Sequence, residues 1–126
     1  VVVSPIVPMV KTDVGFEFIP IKENKPFSYQ LVLKYMKNKS KLISAFHVIS
    51  EKKLVNPTMV LDYDIFVCGD DKESIEVVNG LINEIKGLRP IYLGPGELSY
   101  LAEISTPLLL NAMIRNKIKN PGIKII

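Results

Sequence analysis

Cysteine, histidine and tryptophan are nearly missing from this 126-residue sequence, which has one cysteine, one histidine and no tryptophan. A disulfide needs two cysteines, so a lone Cys68 excludes an internal disulfide and is typical of a reducing compartment. With His47 as the only histidine, the sequence has no Cys/His spacing of the kind that holds a structural zinc ion. We therefore expect no metal site.

Long hydrophobic runs are missing as well. Lysine, aspartate or proline interrupts every apolar block, and none reaches the roughly 18 residues of a membrane-spanning helix or the pattern of a secretory signal. Hydrophobic residues still make up 48% of the chain, which is enough for the core of one globular domain. We expect a cytoplasmic protein that does not bind membranes.

The net charge of +3 comes from lysines spread along the chain. Such lysines are typical of a solvated surface, but they also suit attraction of an anionic ligand, either a phosphorylated coenzyme or nucleic acid. No aromatic series alternates with the basic residues, so a stacking platform for single strands is not visible. We expect small-molecule partners and no nucleic acid.

The order of the predicted secondary structure is that of an α/β protein. Continuous β-branched runs predict buried strands, and apolar residues at helical spacing predict helices. Strands are predicted within residues 1–8, where Ser4-Pro5 ends the strand, and over 16–21, 42–49, 64–68 and 89–93. Helices are predicted over 28–38, 70–86 and 98–113. This order predicts an α/β or α+β fold with one layered core.

The last predicted helix contains a proline. Its apolar residues recur at helical spacing, while Pro107 has no N–H for the carbonyl of Glu103 and predicts a bend beside Thr106. The preceding Gly94-Pro95-Gly96 lacks the third glycine of a dinucleotide fingerprint. No nucleotide-binding loop is therefore indicated within this sequence.

Three polar features allow a functional and a structural interpretation. His47 lies near the carboxyl end of a predicted strand, where it could contact a ligand or be a buried core residue. Cys68 precedes a helix but has no partner for catalysis, so we interpret it as a packing residue. Asp70, with Glu73 three residues later, is interpreted as the helix cap.

Several separated blocks resemble one family along nearly the whole chain. The blocks are Val3-Ser4-Pro5-Ile6-Val7-Pro8, Ser44-Ala45-Phe46-His47, Val67-Cys68-Gly69-Asp70-Asp71, Glu84-Ile85-Lys86-Gly87-Leu88-Arg89-Pro90, Gly94-Pro95, Thr106-Pro107-Leu108-Leu109-Leu110-Asn111 and Gly122-Ile123-Lys124. They resemble the archaeal and bacterial NADP oxidoreductases that use coenzyme F-420, an 8-hydroxy-5-deazaflavin. The match covers only the C-terminal part of such a protein.

The resemblance implies a domain organisation. In that family an N-terminal Rossmann domain binds NADP, and a smaller C-terminal α/β (α+β) domain completes a cleft for the deazaflavin. Residues 1–20 would then be the last strand and loop of a dinucleotide-binding domain whose N-terminal part is missing, and residues 21–126 the deazaflavin-side domain. The sequence begins in an apolar strand without methionine, so we expect it to be a fragment of a longer protein.

The resemblance also implies coenzyme contacts, position by position. Two residues fall where the family approaches NADP: Val7 and Glu51. The deazaflavin side comprises His47, Thr106, Pro121 and Gly122. After the histidine the family tends toward His-Thr-Ile-Pro-Ala, whereas this chain has Val48, Ile49, Ser50 and Glu51, which places a carboxylate where a small residue would face an anionic dinucleotide.

The implied reaction is reversible hydride transfer between reduced coenzyme F-420 and NADP. The chemistry belongs to the two coenzymes, so no catalytic residue of the protein is expected. We expect a homodimer, and activity only when the N-terminal nucleotide-binding segment is supplied. The alternative is a non-catalytic truncated module that binds another chain or dimerises through its long apolar helix.

Overall fold

A four-stranded mixed sheet forms the centre of the protein. The computed structural model describes residues 1–49, 55–56, 58 and 60–126. The strands are β1 (Val2–Ser4), β2 (Met9–Thr12), β3 (Gly15–Phe18), β4 (Leu42–Ser44), β5 (Tyr63–Gly69) and β6 (Leu88–Gly94). The helices are α1 (Ile19–Lys22), α2 (Ser28–Leu33), α3 (Lys72–Glu84) and α4 (Ser99–Asn116), with single 3₁₀ turns at Lys39–Lys41 and Gly96–Leu98.

The direction of the strands changes once across this sheet. The strand order is β1-β4-β5-β6, in which β1 runs parallel to β4, β4 antiparallel to β5, and β5 parallel to β6. Strands β2 and β3 form a separate antiparallel hairpin. The predicted α/β class is therefore confirmed.

The core lies between β5 and α3. Ile65 and Val67 of β5 are fully buried, and they meet Val78 and Ile82, which are one turn apart on α3. The helix is followed by Gly87 at a φ of +90°, where a Cβ would overlap the backbone of Leu61, so only glycine fits this turn.

The cap of α3 differs from the prediction. The side chain of Asp71, not that of Asp70, accepts the hydrogen bond from the Ser74 backbone N–H, at 3.0 Å. Asp71 also pairs with Lys41 at 3.0 Å, so the cap ties α3 to the start of β4. Asp70 instead accepts from the Gly96 backbone N–H at 2.9 Å.

Two predicted elements are longer than those in the structure. The strand predicted over residues 42–49 ends at Ser44, because Phe46 adopts a left-handed φ of +66° that no strand can continue through. The helix predicted over residues 28–38 ends at Leu33. The first strand, predicted to be ended by Ser4-Pro5, does end at Ser4 as β1, but its Val2 is exposed although a buried strand was predicted.

Helix α4 continues through Pro107 to Asn116. Some of its leucines are exposed, since Leu101 and Leu108 are 47% and 58% accessible. The residues buried instead are mostly small or polar: Ser99, Ala102, Glu103, Ser105 and Pro107. Small side chains bring the helix close to the sheet, where the hydroxyls of Ser99 and Ser44 lie 2.7 Å apart.

The C-terminal half of α4 holds the β2–β3 hairpin. The side-chain amide of Asn111 accepts from the Phe16 backbone N–H and donates to the Phe16 carbonyl, both at 2.8 Å. Arg115 donates to the carbonyl of Val14 in the turn of the hairpin. In the described part of the chain, no helix is both long and apolar enough to cross a membrane.

Candidate functional site

His47 lies in the loop that follows β4. Because Phe46 turns the chain, the imidazole points into the protein, where it is only 7% exposed. Neither ring nitrogen has a hydrogen-bond partner among the described residues. Burial lowers the pKa of His47 to about 4, so the ring is neutral at pH 7 and offers one donor and one acceptor nitrogen.

Thr106 meets this loop from α4. Its hydroxyl Oγ1 donates to the main-chain carbonyl of His47 at 2.5 Å. The side chain of Thr106 is half-buried, and the next residue, Pro107, is buried. The structure thus brings together two residues that the resemblance assigns to the same coenzyme.

Val7 lies in the loop after β1, which leaves the sheet at the same edge as the loop that contains His47. Strands β1 and β4 are parallel, and Ser4 pairs with Ser44, so Val7 and His47 each lie three residues beyond a paired position. Val7 is half-buried in the loop that leads to β2. Glu51, the other residue assigned to NADP, lies outside the described residues.

Pro121 and Gly122 reach this edge from the end of the chain. Because β5 runs antiparallel to β4 and its Cys68 pairs with Ser44, the first residue of β5, Tyr63, lies beyond the end of β4, in the direction in which β1 and β4 run. Gly122 packs so closely on the Tyr63 ring that a Cβ would overlap it, and the Tyr63 hydroxyl donates to the Asn120 carbonyl at 2.9 Å. The described members of the predicted site therefore all lie on one edge of the sheet.

A buried glutamate on α4 was not singled out by sequence reasoning. Glu103 is fully buried, and its carboxylate accepts from the backbone N–H groups of Ser28 and Tyr29 at 2.8 and 3.1 Å. Burial raises the pKa of Glu103 to about 6, although these hydrogen bonds act in the opposite direction. The carboxylate thus supplies the acceptors that the first turn of α2 needs. In the sequence, Glu103 stands out only as an acidic residue between the apolar residues Ala102 and Ile104.

Cys68 is buried at the end of β5, as expected for a packing residue. Burial raises the pKa of its thiol, with Ser44 and Ser99 acting in the opposite direction. A thiol with a raised pKa is a poor nucleophile at neutral pH. Among the described residues, no three side chains of histidine, cysteine, aspartate or glutamate are grouped to hold a metal ion.

Two open clefts lie near the carboxyl end of β5, at the opposite edge of the sheet. The first has a volume of about 420 Å³ and is lined by Tyr29, Gln30, Leu33, Asp70, Pro95 and Glu97. The second, of about 410 Å³, is lined by Asp70, Lys72, Ile75, Glu76, Asn79 and Tyr92. Neither cleft contains a predicted coenzyme-binding residue, and cavity size alone identifies no ligand.

Comparison with known proteins gives a consistent set of relatives. The chain is 42% identical over 86 residues to the F420-dependent NADP reductase of Methanocaldococcus jannaschii, an alignment that covers 68% of this chain and 39% of that protein. The same-named protein of Methanothermobacter thermautotrophicus is 36% identical over 86 residues, covering 68% and 37%. This chain therefore spans about two fifths of the length of the curated relatives. No profile of a known protein family matches it.

Solved structures share the fold. A crystal structure from Arthrobacter sp. FB24, described as that of a candidate F420-dependent NADP reductase, superposes with a TM-score of 0.79 and 18% identity, covering 98% of this chain and 56% of that one. A hypothetical protein from Sinorhizobium meliloti superposes with a TM-score of 0.58 and 19% identity over 77% and 45% of the two chains. At these identities the superpositions support the fold, whereas the family rests on the sequence matches. The chain is thus homologous to part of the F420-dependent NADP reductases, which confirms the resemblance recognised from its sequence.

Proposed function

We propose that this chain is the C-terminal part of an oxidoreductase that transfers a hydride between reduced coenzyme F-420 and NADP. The relatives carry both coenzymes in their names, and the chain is homologous to part of them. The observation that supports the proposal most directly is the contact between His47 and Thr106 at one edge of the sheet. It joins two residues that the resemblance assigns to the deazaflavin and that are 59 positions apart in sequence.

The chemistry of His47 fits a flat heterocyclic ligand. Its two ring nitrogens are buried without partners in the described part of the chain, and a buried polar atom without a hydrogen bond costs about 1–3 kcal/mol. A neutral imidazole presents one donor and one acceptor, which suits a ring whose edge carries groups of both kinds. The ring of His47 would therefore orient the deazaflavin through hydrogen bonds or stacking without changing its own charge.

The other residues of this edge have supporting roles. Thr106 holds the His47 loop through its hydroxyl, and the backbone at Pro121 and Gly122 forms a further wall beside Tyr63. Val7 and Glu51 would approach NADP. The two bound coenzymes supply the hydride donor and acceptor, while the protein holds their rings together and excludes water.

In this proposal the coenzyme cleft is shared with a segment that precedes residue 1. Residues 1–20 would complete a dinucleotide-binding domain, and residues 21–126 would form the deazaflavin side. One wall of the cleft would then come from the other domain.

The proposal is tested by titrating coenzyme F-420 and NADP, separately and together, against this chain and against the product of the longer reading frame. We expect the longer product to bind both coenzymes and to reduce NADP, and this chain alone to give little or no NADP reduction. An upstream sequence without a strand followed by Gly-x-Gly-x-x-Gly would contradict the proposal. A longer product that binds neither coenzyme would contradict it as well.

A second candidate function, dimerisation, is favoured by the exposed stripe on α4. Leu101 and Leu108 are exposed and Ile104 is half-buried, and these three residues recur at the spacing of one helical face. A homodimer would cover this stripe, as exposed apolar patches commonly mark interfaces.

Sedimentation equilibrium tests the dimer. We expect a dimer for the natural sequence and a monomer for Leu108→Lys, with Val60→Lys, an exposed apolar residue outside the stripe, as the matched control. A monomeric natural protein at micromolar concentration would rule the interface out.

A further inference from the structure

The last residues of the chain are held against the first residues of β5. The Asp64 backbone N–H donates to the Ile123 carbonyl at 2.6 Å, and the Ile125 backbone N–H donates to Asp64 Oδ2 at 2.6 Å. The backbone N–H and the side-chain carboxylate of Asp64 therefore both bind the tail, here defined as residues 120–125. The tail has no helix or strand of its own.

Asp64 is a fully buried carboxylate with a specific partner. Arg89 binds it through two parallel hydrogen bonds, from Nε to Oδ1 and from Nη2 to Oδ2, both at 2.8 Å. These bonds hold the pKa of Asp64 below its ordinary value, although burial alone would raise it. Two parallel hydrogen bonds between a guanidinium group and a carboxylate fix the relative orientation of the two groups as well as their distance.

Arg89 extends the same network to the tail. Its Nη2 also donates to the carbonyl of Ile125 at 2.6 Å. The N–H and the carbonyl of Ile125 are therefore bound by the two members of one ion pair. A peripheral ion pair lies beside it, in which Lys124 contacts the exposed Asp62 at 3.1 Å and approaches Asp64 at 3.8 Å.

This network lies beside Gly122, one of the residues assigned to the deazaflavin. Gly122 directly precedes Ile123, whose carbonyl Asp64 binds, and packs on the ring of Tyr63, the neighbour of Asp64. A tail without regular secondary structure has many accessible conformations, and the Asp64–Arg89 network restricts them together with the contacts that Tyr63 makes to Asn120 and Gly122.

We propose that Asp64 and Arg89 are positioning residues, which hold Pro121 and Gly122 at the deazaflavin edge without touching the coenzyme themselves. This inference rests on the proposed function, since it assigns a role to residues near the same site. It requires that breaking the Asp64–Arg89 pair releases the tail and weakens coenzyme binding while the sheet stays folded.

The test compares Asp64→Asn with Asp62→Asn by hydrogen–deuterium exchange. The control makes the same chemical change two residues away, at a carboxylate that is 79% exposed and contacts the same tail only through Lys124. We expect the amide of Ile125, which donates to Asp64, to exchange at least about tenfold faster in Asp64→Asn, and to change by less than about twofold in Asp62→Asn. Arg89→Lys keeps the charge but loses the two-point geometry, and provides a second variant should Asp64→Asn not fold.

Titration with coenzyme F-420 on the longer product completes the test. We expect the dissociation constant to rise at least about tenfold in each variant that releases the tail, with protection of the Val67 amide in β5 retained. Slow tail exchange in the variants, or a released tail with unchanged affinity, would overturn the inference. A natural protein that binds no coenzyme F-420 would instead contradict the proposed function, so the two failures are distinguishable.

Discussion

Thr106 donates a hydrogen bond to the main-chain carbonyl of His47, which ties the middle of the longest helix to the loop after β4. The Ser99 hydroxyl of α4 also lies 2.7 Å from the hydroxyl of Ser44, which is the last residue of β4 before that loop. The helix therefore contacts both the end of β4 and the loop beyond it. Any change that shifts α4 along the sheet will move the imidazole of His47.

Replacing Thr106 by valine should weaken coenzyme binding more than folding. Valine keeps the shape of threonine but has no hydroxyl, so the His47 carbonyl loses its bond, at a cost of about 1 kcal/mol in the free energy of unfolding. Thr106→Ser retains the hydroxyl and is the control. Denaturant unfolding and titration with coenzyme F-420 on the longer product measure the two effects. Equal affinities for the valine and serine variants would show that the hydroxyl has no role.

His47 should make the protein less stable as the pH falls. Its pKa is about 4 in the folded protein and near 6.5 when exposed, so the unfolded chain binds more protons between these values. The contribution of His47 to stability is complete above pH 6.5 and is lost as the pH falls toward 4, by about 3 kcal/mol. Urea unfolding at a series of pH values measures it. His47→Gln does not titrate, and an identical pH dependence in that variant would contradict the prediction.

Glu103 should make the protein less stable as the pH rises, which is opposite to the effect of His47. Its pKa is raised from 4.5 to about 6, so the folded protein binds the additional proton in this interval. Stability from this group is complete below pH 4.5 and falls as the pH rises through 6, by about 2 kcal/mol. The natural protein and Glu103→Gln are compared by urea unfolding, because the contribution of His47 is common to both. A difference between them that does not vary from pH 4 to pH 7 would refute this assignment.

Truncating Glu103 should also destabilise α2. In Glu103→Ala the backbone N–H groups of Ser28 and Tyr29 lose their acceptor in a buried position, and the free energy of unfolding should fall by about 2–4 kcal/mol. Circular dichroism during urea unfolding measures the loss, and Glu97→Ala, an exposed acid just before α4, is the control. A loss below about 0.5 kcal/mol would mean that water replaces the carboxylate.

Cys68 should react with thiol reagents only after unfolding. The thiol is fully buried and its pKa is raised, so both access and the thiolate fraction are low. We expect labelling by a disulfide reagent to be at least about a hundredfold slower in buffer than in denaturant. Rapid stoichiometric labelling of the folded protein would contradict the buried position.

The secondary-structure elements that the sequence predicted best are those whose apolar pattern directly reflects their burial. Strand β5 and helix α3 lie within two residues of their predicted ends, because a continuous apolar run and a helical stripe each report burial directly. The strand after α2 was overextended because the apolar run continues to Ile49 although the chain turns at Phe46. Hydrophobicity reports that a segment is buried, but not that its backbone has left the sheet.

The site was predictable only in part, for a related reason. The resemblance selected His47 and Thr106, but nothing in the sequence says that they touch, since their contact depends on how α4 docks on the sheet. Glu103 was missed because its partners at the start of α2 are 74 and 75 positions away. The apolar pattern of α4 does not identify the side that meets the sheet, because small residues near the sheet determine which side can approach it.

The two hydrogen bonds between Asn111 and Phe16 have a consequence for solubility. An unpaired strand edge invites strands of other molecules, and β3 is the edge of a two-stranded hairpin. The Asn111 amide occupies both the N–H and the carbonyl of Phe16, which an incoming strand would need for pairing. In the folded protein, Asn111 therefore leaves an incoming strand no free backbone group to pair with at Phe16.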